Sequence, residues 1–179
     1  MNFQFLSFPE LETARLILRK VTFDDAQIIL HIRSDLTINQ YIKRDTLKNI
    51  EDARTFITKV NAGFEAGENI YWAICLKKNL KMIGSICLWH FDAEAKKAEL
   101  GYDLKADFQR RGIMSEALKC VLKFGYEKLS LIEIEAFTHF DNKSSIMLLK
   151  KNKFSLVKGE LDPDNSNNVI YRTGRPLNQ

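Results

Sequence analysis

The stretch Phe108 to Ser115, FQRRGIMS, is the part of the chain whose residues best suit a charged ligand. It lies between a segment of strand-like alternation and one of helical periodicity, so it opens a helix. A helix start carries backbone N–H groups with no internal partner, and the aligned peptide dipoles place partial positive charge there. Gly112 has no side chain to hold a ligand off the backbone, and Arg110 and Arg111 add full charges. Together these make a pyrophosphate cradle. A helix start with two solvated arginines is the plainer alternative, and the stretch alone leaves it open. No GKS or GKT follows, as a Walker A loop requires. No second and third glycines stand at the spacing of a dinucleotide fingerprint.

Other reactive side chains are scattered. His31, His90 and His139 are each isolated in sequence and read as packed or surface histidines, although His139 is close to Asn142. Cys75, Cys87 and Cys120 are odd in number, far apart and set among apolar neighbours, which predicts buried free thiols. A disulfide framework or a zinc site wants closer pairs.

The elements around the cradle follow from periodicity. Thr13 to Lys20 (TARLILRK) is a strand with Leu16 and Leu18 on one face. Thr22 and Asp24 offer caps to a helix that runs to about Arg33, and Ser34 to Arg44 is a loop containing Tyr41. Ile50, Ala53, Phe56, Ile57 and Val60 recur at helical spacing, with an end near Gly63 or Gly67. Ile70 to Leu76, Met82 to Phe91 and Ala98 to Leu104 are three strands of a meander. A helix begins at Gly112, with Met114, Ala117, Leu118, Val121 and Leu122 on one stripe. Ile132 to Phe137 is a strand, Asn142 to Lys151 a helix, and Phe154 to Val157 and Val169 to Arg172 are the last strands. This order predicts a mixed α/β fold with a mostly antiparallel sheet of six to seven strands and about four helices.

Composition narrows the function classes. The chain has 179 residues, 45% of them apolar and 28% charged, so it can bury a sizeable core and is not intrinsically disordered. No linker or composition shift divides it, which predicts a single domain over 1–179. The net charge of +4 is spread along the chain and lacks the dense basic stripe of a nucleic-acid binder. No apolar run is long enough to cross a bilayer, so no membrane partner is expected. MNFQFLSFPELE has neither a charged n-region nor a long apolar h-region, and the cytoplasm is the expected compartment.

The pattern of these segments resembles a known superfamily. Q-R-R-G-I-M, after the strand ELGYDL and before a helix, is similar to the acetyl-CoA loop of the GNAT acyltransferases, Gln/Arg-x-x-Gly-x-Gly/Ala. Gln109 and Gly112 match, and Met114 replaces the final small residue. Asn142-Lys143-Ser144-Ser145 followed by KKNKF is similar to the family's Asn-x-x-Ser-…-Glu-Lys-x-Gly-Phe. Asn142, Ser145, Lys151 and Phe154 match, Lys150 stands for Glu and Lys153 for Gly. TARLILRK resembles the Thr-Glu-Arg-Leu-x-Leu-Arg opening of the Rim-type ribosomal-protein N-terminal acetyltransferases. The resemblance runs from about Leu11 to Arg172.

It implies an acetyl-CoA-dependent N-acetyltransferase that uses no metal and moves the acetyl group directly to a primary amine. The implied cofactor contacts are Leu104, Gln109, Arg110, Arg111, Gly112, Ile113, Met114, Ser115 and Asn142. Met114 can bend aside because its thioether chain is unbranched. Lys153 is expected in a left-handed helix cap, at a cost of about 1 kcal/mol. Many relatives place a tyrosine in the helix after the Asn motif to protonate the departing thiol, but that position is Leu149. In the Rim-type subgroup the donor is the motif serine, which maps to Ser145; its plainer role is to bond a helix carbonyl. The amine, with a pKa near ~8, must also lose a proton. Glu99 is the candidate base, with Glu160, Asp162 and Asp164 as rivals. The expected acceptor is a protein N-terminal α-amine. A small amine (antibiotic, polyamine or amino acid) and a non-catalytic acyl-CoA-binding role are the alternatives.

Overall fold

Runs of branched and aromatic residues build the sheet. In β3 (Asn69–Leu76), Ile70, Trp72 and Ile74 face one side and Tyr71, Ala73 and Cys75 the other, and all six are buried. A strand buried on both faces needs a layer of helices on each side. In this computed structural model, which describes residues 5 and 7–175, that requirement is met. Residues 1–4 and Leu6, part of the stretch read above for a leader, lie outside the described residues, as do 176–179.

Eight strands form one sheet: β1 (Leu11–Glu12), β2 (Leu16–Lys20), β3, β4 (Met82–Asp92), β5 (Lys97–Leu104), β6 (Glu133–His139), β7 (Ser155–Leu156) and β8 (Asn168–Gly174). Their order is β1-β2-β3-β4-β5-β6-β8-β7, antiparallel everywhere except between β5 and β6. The helices α1 (Ala26–Ser34) and α3 (Ile50–Glu65) cover the Tyr71 face through Ala26, Ile29, Ala53 and Ile57. The Trp72 face receives α4 (Ile113–Glu127), whose Ala117, Leu118 and Val121 are fully buried against Leu16, Leu18, Leu88 and Leu100. Leu149 of α5 (Lys143–Lys151) enters the same core. Among the described residues no helix is long and apolar enough to cross a membrane.

Three local expectations change. The first strand begins at Leu16, because Thr13 to Arg15 form a turn closed by Thr13 N–H donating to Leu16 O at 3.0 Å, with β1 before it. The loop from Ser34 to Arg44 contains a short helix, α2 (Leu36–Asn39). Asp35 caps it by accepting from the N–H groups of Thr37 and Ile38, a local bond that hydrophobic periodicity does not register. The cysteines are all free, but only Cys75 is fully buried; Cys87 and Cys120 are partly exposed. Lys153 does take the left-handed conformation, at φ 67°.

Beyond α2, the chain is pinned to the sheet by one ion pair. Arg44 donates to both oxygens of Asp103 in β5, at 2.7 and 3.2 Å, and its Nε donates to Asn39. The Asp103 and Arg44 side chains are 8% and 15% exposed, so the two charges need each other. We expect Asp103→Ala to cost about 3–5 kcal/mol in urea unfolding, because it strands the guanidinium. The double change Arg44→Met with Asp103→Leu should cost less than Asp103→Ala alone. A loss below about 1 kcal/mol for the single variant would show the pair to be solvated.

Candidate active site

The loop from Gln109 to Gly112 opens α4, and its geometry explains the glycine. Gly112 is the residue before α4 and sits at φ 73°, a left-handed conformation that costs any other L-residue energy. Arg110 is left-handed as well, at φ 59°. The first bond of the helix is Glu116 N–H to Gly112 O at 3.1 Å. Among the described residues, the N–H groups from Arg110 to Ser115 meet no protein acceptor. Ile113 and Met114 turn their side chains into the core, so Met114 does not crowd the loop. Ser115 Oγ donates inward to Asn152 Oδ1 at 3.1 Å, which leaves its backbone for a ligand. Gln109 Nε2 donates to Leu104 O at 3.1 Å and thereby ties the loop to the end of β5. A diphosphate fits this set: unpartnered N–H groups, a helix dipole and two arginines.

Sequence reasoning missed what holds the loop in place. Thr13 Oγ1 and Arg15 N–H donate to Glu116 Oε1 at 2.5 and 3.0 Å, and Arg15 Nε donates to Oε2 at 2.7 Å. Arg15 also donates to Arg111 O at 3.1 Å. Burial would raise the Glu116 pKa, but these bonds hold it below the ordinary carboxylate range. The N-terminal Thr-x-Arg is therefore a clasp on the cradle. Its 101-residue separation from Glu116 gives no sequence signal.

The second feature is a wedge in the sheet. β5 and β6 pair only through Lys97, Glu99 and the residue between them, opposite Glu133 to Glu135. Beyond that, β5 keeps to β4 and β6 keeps to β8. A cleft of about 880 Å³ opens there, bordered by Glu99 to Asp103, Phe137, Thr138, Asn142 and Ser145. None of Gln109 to Ser115 borders it; Leu104 links the two regions along β5.

Two polar pairs stand on this cleft. Asn142 caps α5 by accepting from Ser145 N–H at 3.0 Å, and Ser145 Oγ shares a 2.7 Å hydrogen bond with Tyr102 OH. Burial pushes the Tyr102 phenol up to about 12, so it keeps its proton at neutral pH. Leu149, where relatives by resemblance carry a tyrosine, is fully buried in the core. A phenol nevertheless reaches Ser145, from β5 and not from α5. The second pair is Glu99 with His90, 3.0 Å apart. His90 sits at φ 46° in a β4 bulge between Trp89 and Asp92 and stacks on Trp89 at 4.0 Å. Desolvation raises the Glu99 pKa, and the His90 bond opposes part of that rise. His139 instead packs between Tyr41 and Phe140, and His31 is exposed.

Of the rival carboxylates, Glu160 is engaged elsewhere, while Asp162 and Asp164 line the same cleft as Glu99. Arg172 donates to both Glu160 oxygens, at 3.2 and 2.8 Å, and lowers that pKa. Asp162 accepts from Asn168 Nδ2 at 2.7 Å and from Asp164 N–H at 2.9 Å. The Cys87 thiol on the cleft wall is pushed up to about 12 by burial, which removes it as a nucleophile.

The left-handed Gly112 makes a specific expectation. A Cβ at this position meets only Arg15 Nη2, at 3.6 Å, so backbone strain and not a protein clash is the penalty. Gly112→Val should weaken acetyl-CoA at least tenfold by calorimetry, about 1.4 kcal/mol. Gly112→Asn should lose less, since Asn tolerates this region. Equal losses for both, or none, would disconnect the loop conformation from binding.

Comparison with known proteins gives this geometry its family. Residues 15–155 match the acetyltransferase (GNAT) domain. An uncharacterized N-acetyltransferase of Bacillus subtilis (strain 168), YoaA, is 33% identical over 169 residues, covering 94% of this chain and 92% of that protein. Among solved structures, a putative ribosomal-protein-serine acetyltransferase from Vibrio cholerae superposes with TM-score 0.78 at 21% identity, over 93% of this chain and 97% of that one. Mycobacterium smegmatis RimJ, solved in complex with CoA-disulfide, superposes with TM-score 0.76 at 19% identity, over 89% and 81%. The matched span takes in the Thr-x-Arg clasp from Arg15, the cradle, the wedge and α5, and the chain belongs to the GNAT acetyltransferase family as an N-acetyltransferase.

Proposed function

We propose that the chain transfers an acetyl group from acetyl-CoA to the α-amine of a protein N-terminus. The observation that carries this reading is the wedge between β5 and β6, with a proton acceptor and a hydrogen-bond donor both on its cleft. The likeness to the Vibrio cholerae ribosomal-protein-serine acetyltransferase supports a protein acceptor. Arg110, Arg111 and the N–H groups through Ser115 would hold the diphosphate, and Leu104 and Asn142 would flank the arm. Acetyl-CoA, when bound, supplies the reactive thioester.

The rest of the mechanism belongs to the protein. Glu99, with its pKa raised by desolvation, accepts the proton of the acceptor ammonium directly or through one water. The freed amine attacks the acyl carbon, the C–S bond breaks, and the proton shed by the new amide nitrogen balances the one taken up by the departing thiolate. Ser145 donates a hydrogen bond to the departing sulfur when Tyr102, neutral at working pH, takes the donor role in their shared 2.7 Å bond and so turns the serine hydrogen outward.

The deciding assay is thiol release from acetyl-CoA with N-terminal peptides and with a panel of small amines. Release with peptides only supports the proposal. Release with small amines only overturns the acceptor, and binding without release overturns turnover itself.

Two sets of variants test the roles. Ser145→Ala should lower kcat roughly ten- to a thousandfold with little change in acetyl-CoA affinity. Tyr102→Phe should lower it less, because the serine keeps its own hydrogen. A kcat within twofold of wild type for Ser145→Ala would make the serine structural.

For the base, kcat/KM should fall on the acid side as Glu99 takes a proton. His90 holds that pKa down, so His90→Ala should raise it further and move the acid limb to higher pH. Glu99→Gln should lose kcat/KM near neutral pH and regain part of it at alkaline pH, where the amine deprotonates unaided. A Glu99→Gln profile parallel to wild type would reassign the base.

A further inference from the structure

The cleft also contains a guanidinium that no carboxylate of the described residues meets within ion-pair distance. Arg33, at the end of α1, borders the cleft with its guanidinium carbon 4.1 Å from the Phe56 ring centroid. Phe56 packs edge-on against Tyr71 at 5.4 Å, so the stack has a fixed wall behind it. Among the described residues no carboxylate lies within ion-pair distance of Arg33, and its buried Nε has no hydrogen-bond partner. Asp103 is nearby, but both of its oxygens are taken by Arg44. Desolvation, with Arg44 adding repulsion, disfavours the Arg33 charge. Packing on Phe56 alone would be served by an apolar side chain, without the cost of a half-buried charge. Lys59 of α3 lines the same end and adds a second cation.

Glu68, Glu99, Asp162 and Asp164 line the cleft as well, and the candidate base among them is Glu99. Its separation from Arg33 can be read along β5. Arg33 packs on Phe56 and Phe56 on Tyr71, and Tyr71 pairs with Cys87, which is opposite Gly101, with Asp103 two residues further along β5. Gly101 and Asp103 are two and four residues from Glu99, or about 7 to 13 Å at strand rise. An extended peptide advances about 3.3 Å per residue, so an amine at Glu99 brings its third to fifth residue to Arg33.

We infer that Arg33 is a specificity residue that receives a carboxylate of the acceptor, borne on the third to fifth residue of an acidic N-terminus whose amine lies at Glu99. This rests on reading the cleft as the acceptor groove. Arginine's planar fork suits a carboxylate, and an unpaired guanidinium meets it with charge-assisted bonds.

The test compares peptides carrying Asp at position 3, 4 or 5 with their Asn counterparts, in wild type, Arg33→Gln and Arg33→Lys. In wild type, kcat/KM for the best Asp peptide should exceed that of its Asn partner at least tenfold at low ionic strength. Arg33→Gln should bring the ratio to within twofold of one, and Arg33→Lys should fall between. If wild type acetylates peptides without distinguishing any Asp from its Asn, the inference is overturned while the N-terminal reading stands. A ratio that persists in Arg33→Gln overturns it too. If only small amino-carboxylates are acetylated, the N-terminal reading fails. The carboxylate role then survives only if Arg33→Gln removes a tenfold preference for the acid over its carboxamide. The wild-type comparison decides the matter even if a variant fails to fold.

Discussion

The parallel ladder between β5 and β6 ends after three residue pairs, and the site depends on that divergence. Each strand stays straight because its other edge is satisfied, β5 by β4 and β6 by seven pairs with β8. Beyond the ladder the facing edges of β5 and β6 no longer bond each other, and Leu104 O at the end of β5 accepts from Gln109 instead. Alternation along β5 then divides the chemistry between the two faces. Tyr102 points toward Ser145, while Glu99 and Asp103 project to the side where Arg33 and Arg44 stand. One strand thus supplies the phenol, the candidate base and the anchor of the α2–α3 loop.

The cradle is a second constraint, imposed from far away in sequence. A carboxylate in the first turn of a helix is favoured by the dipole, yet it would repel a diphosphate approaching the same helix start. Arg15 offsets the Glu116 charge and holds the Arg111 carbonyl at the same time. The loop is therefore held in its left-handed path from the outside, while Gln109 and Ser115 fasten it from within. Its backbone N–H groups remain the part not used for support.

Much of the architecture was legible because it is local. Alternation in Ile70 to Leu76 and Ala98 to Leu104 and the 3.6-residue stripe after Gly112 place strands and helices within a few residues of their observed bounds. Lys153, which stands where the family has glycine, is left-handed as expected, whereas in the sequence Gly112 signals only a missing side chain and its left-handed φ comes from the structure. The α2 turn and the partial exposure of Cys87 were not legible. The first depends on an Asp35 cap and the second on where the sheet splits.

Side-chain spacing along single segments was thus enough to give the order of elements and a helix start suited to a phosphate, while burial of the sheet on both faces emerged from the structure. Only the tertiary structure decided which groups work together. Tyr102 meets Ser145 across 43 residues, Arg15 meets Glu116 across 101, and Glu99 meets a histidine turned by a bulge. Leu149 shows the limit most directly: its identity argued that no phenol comes from α5, yet one arrives from β5. Periodicity reports the face on which a side chain lies. The partner on that face is set by strand register and by where β5 leaves β6.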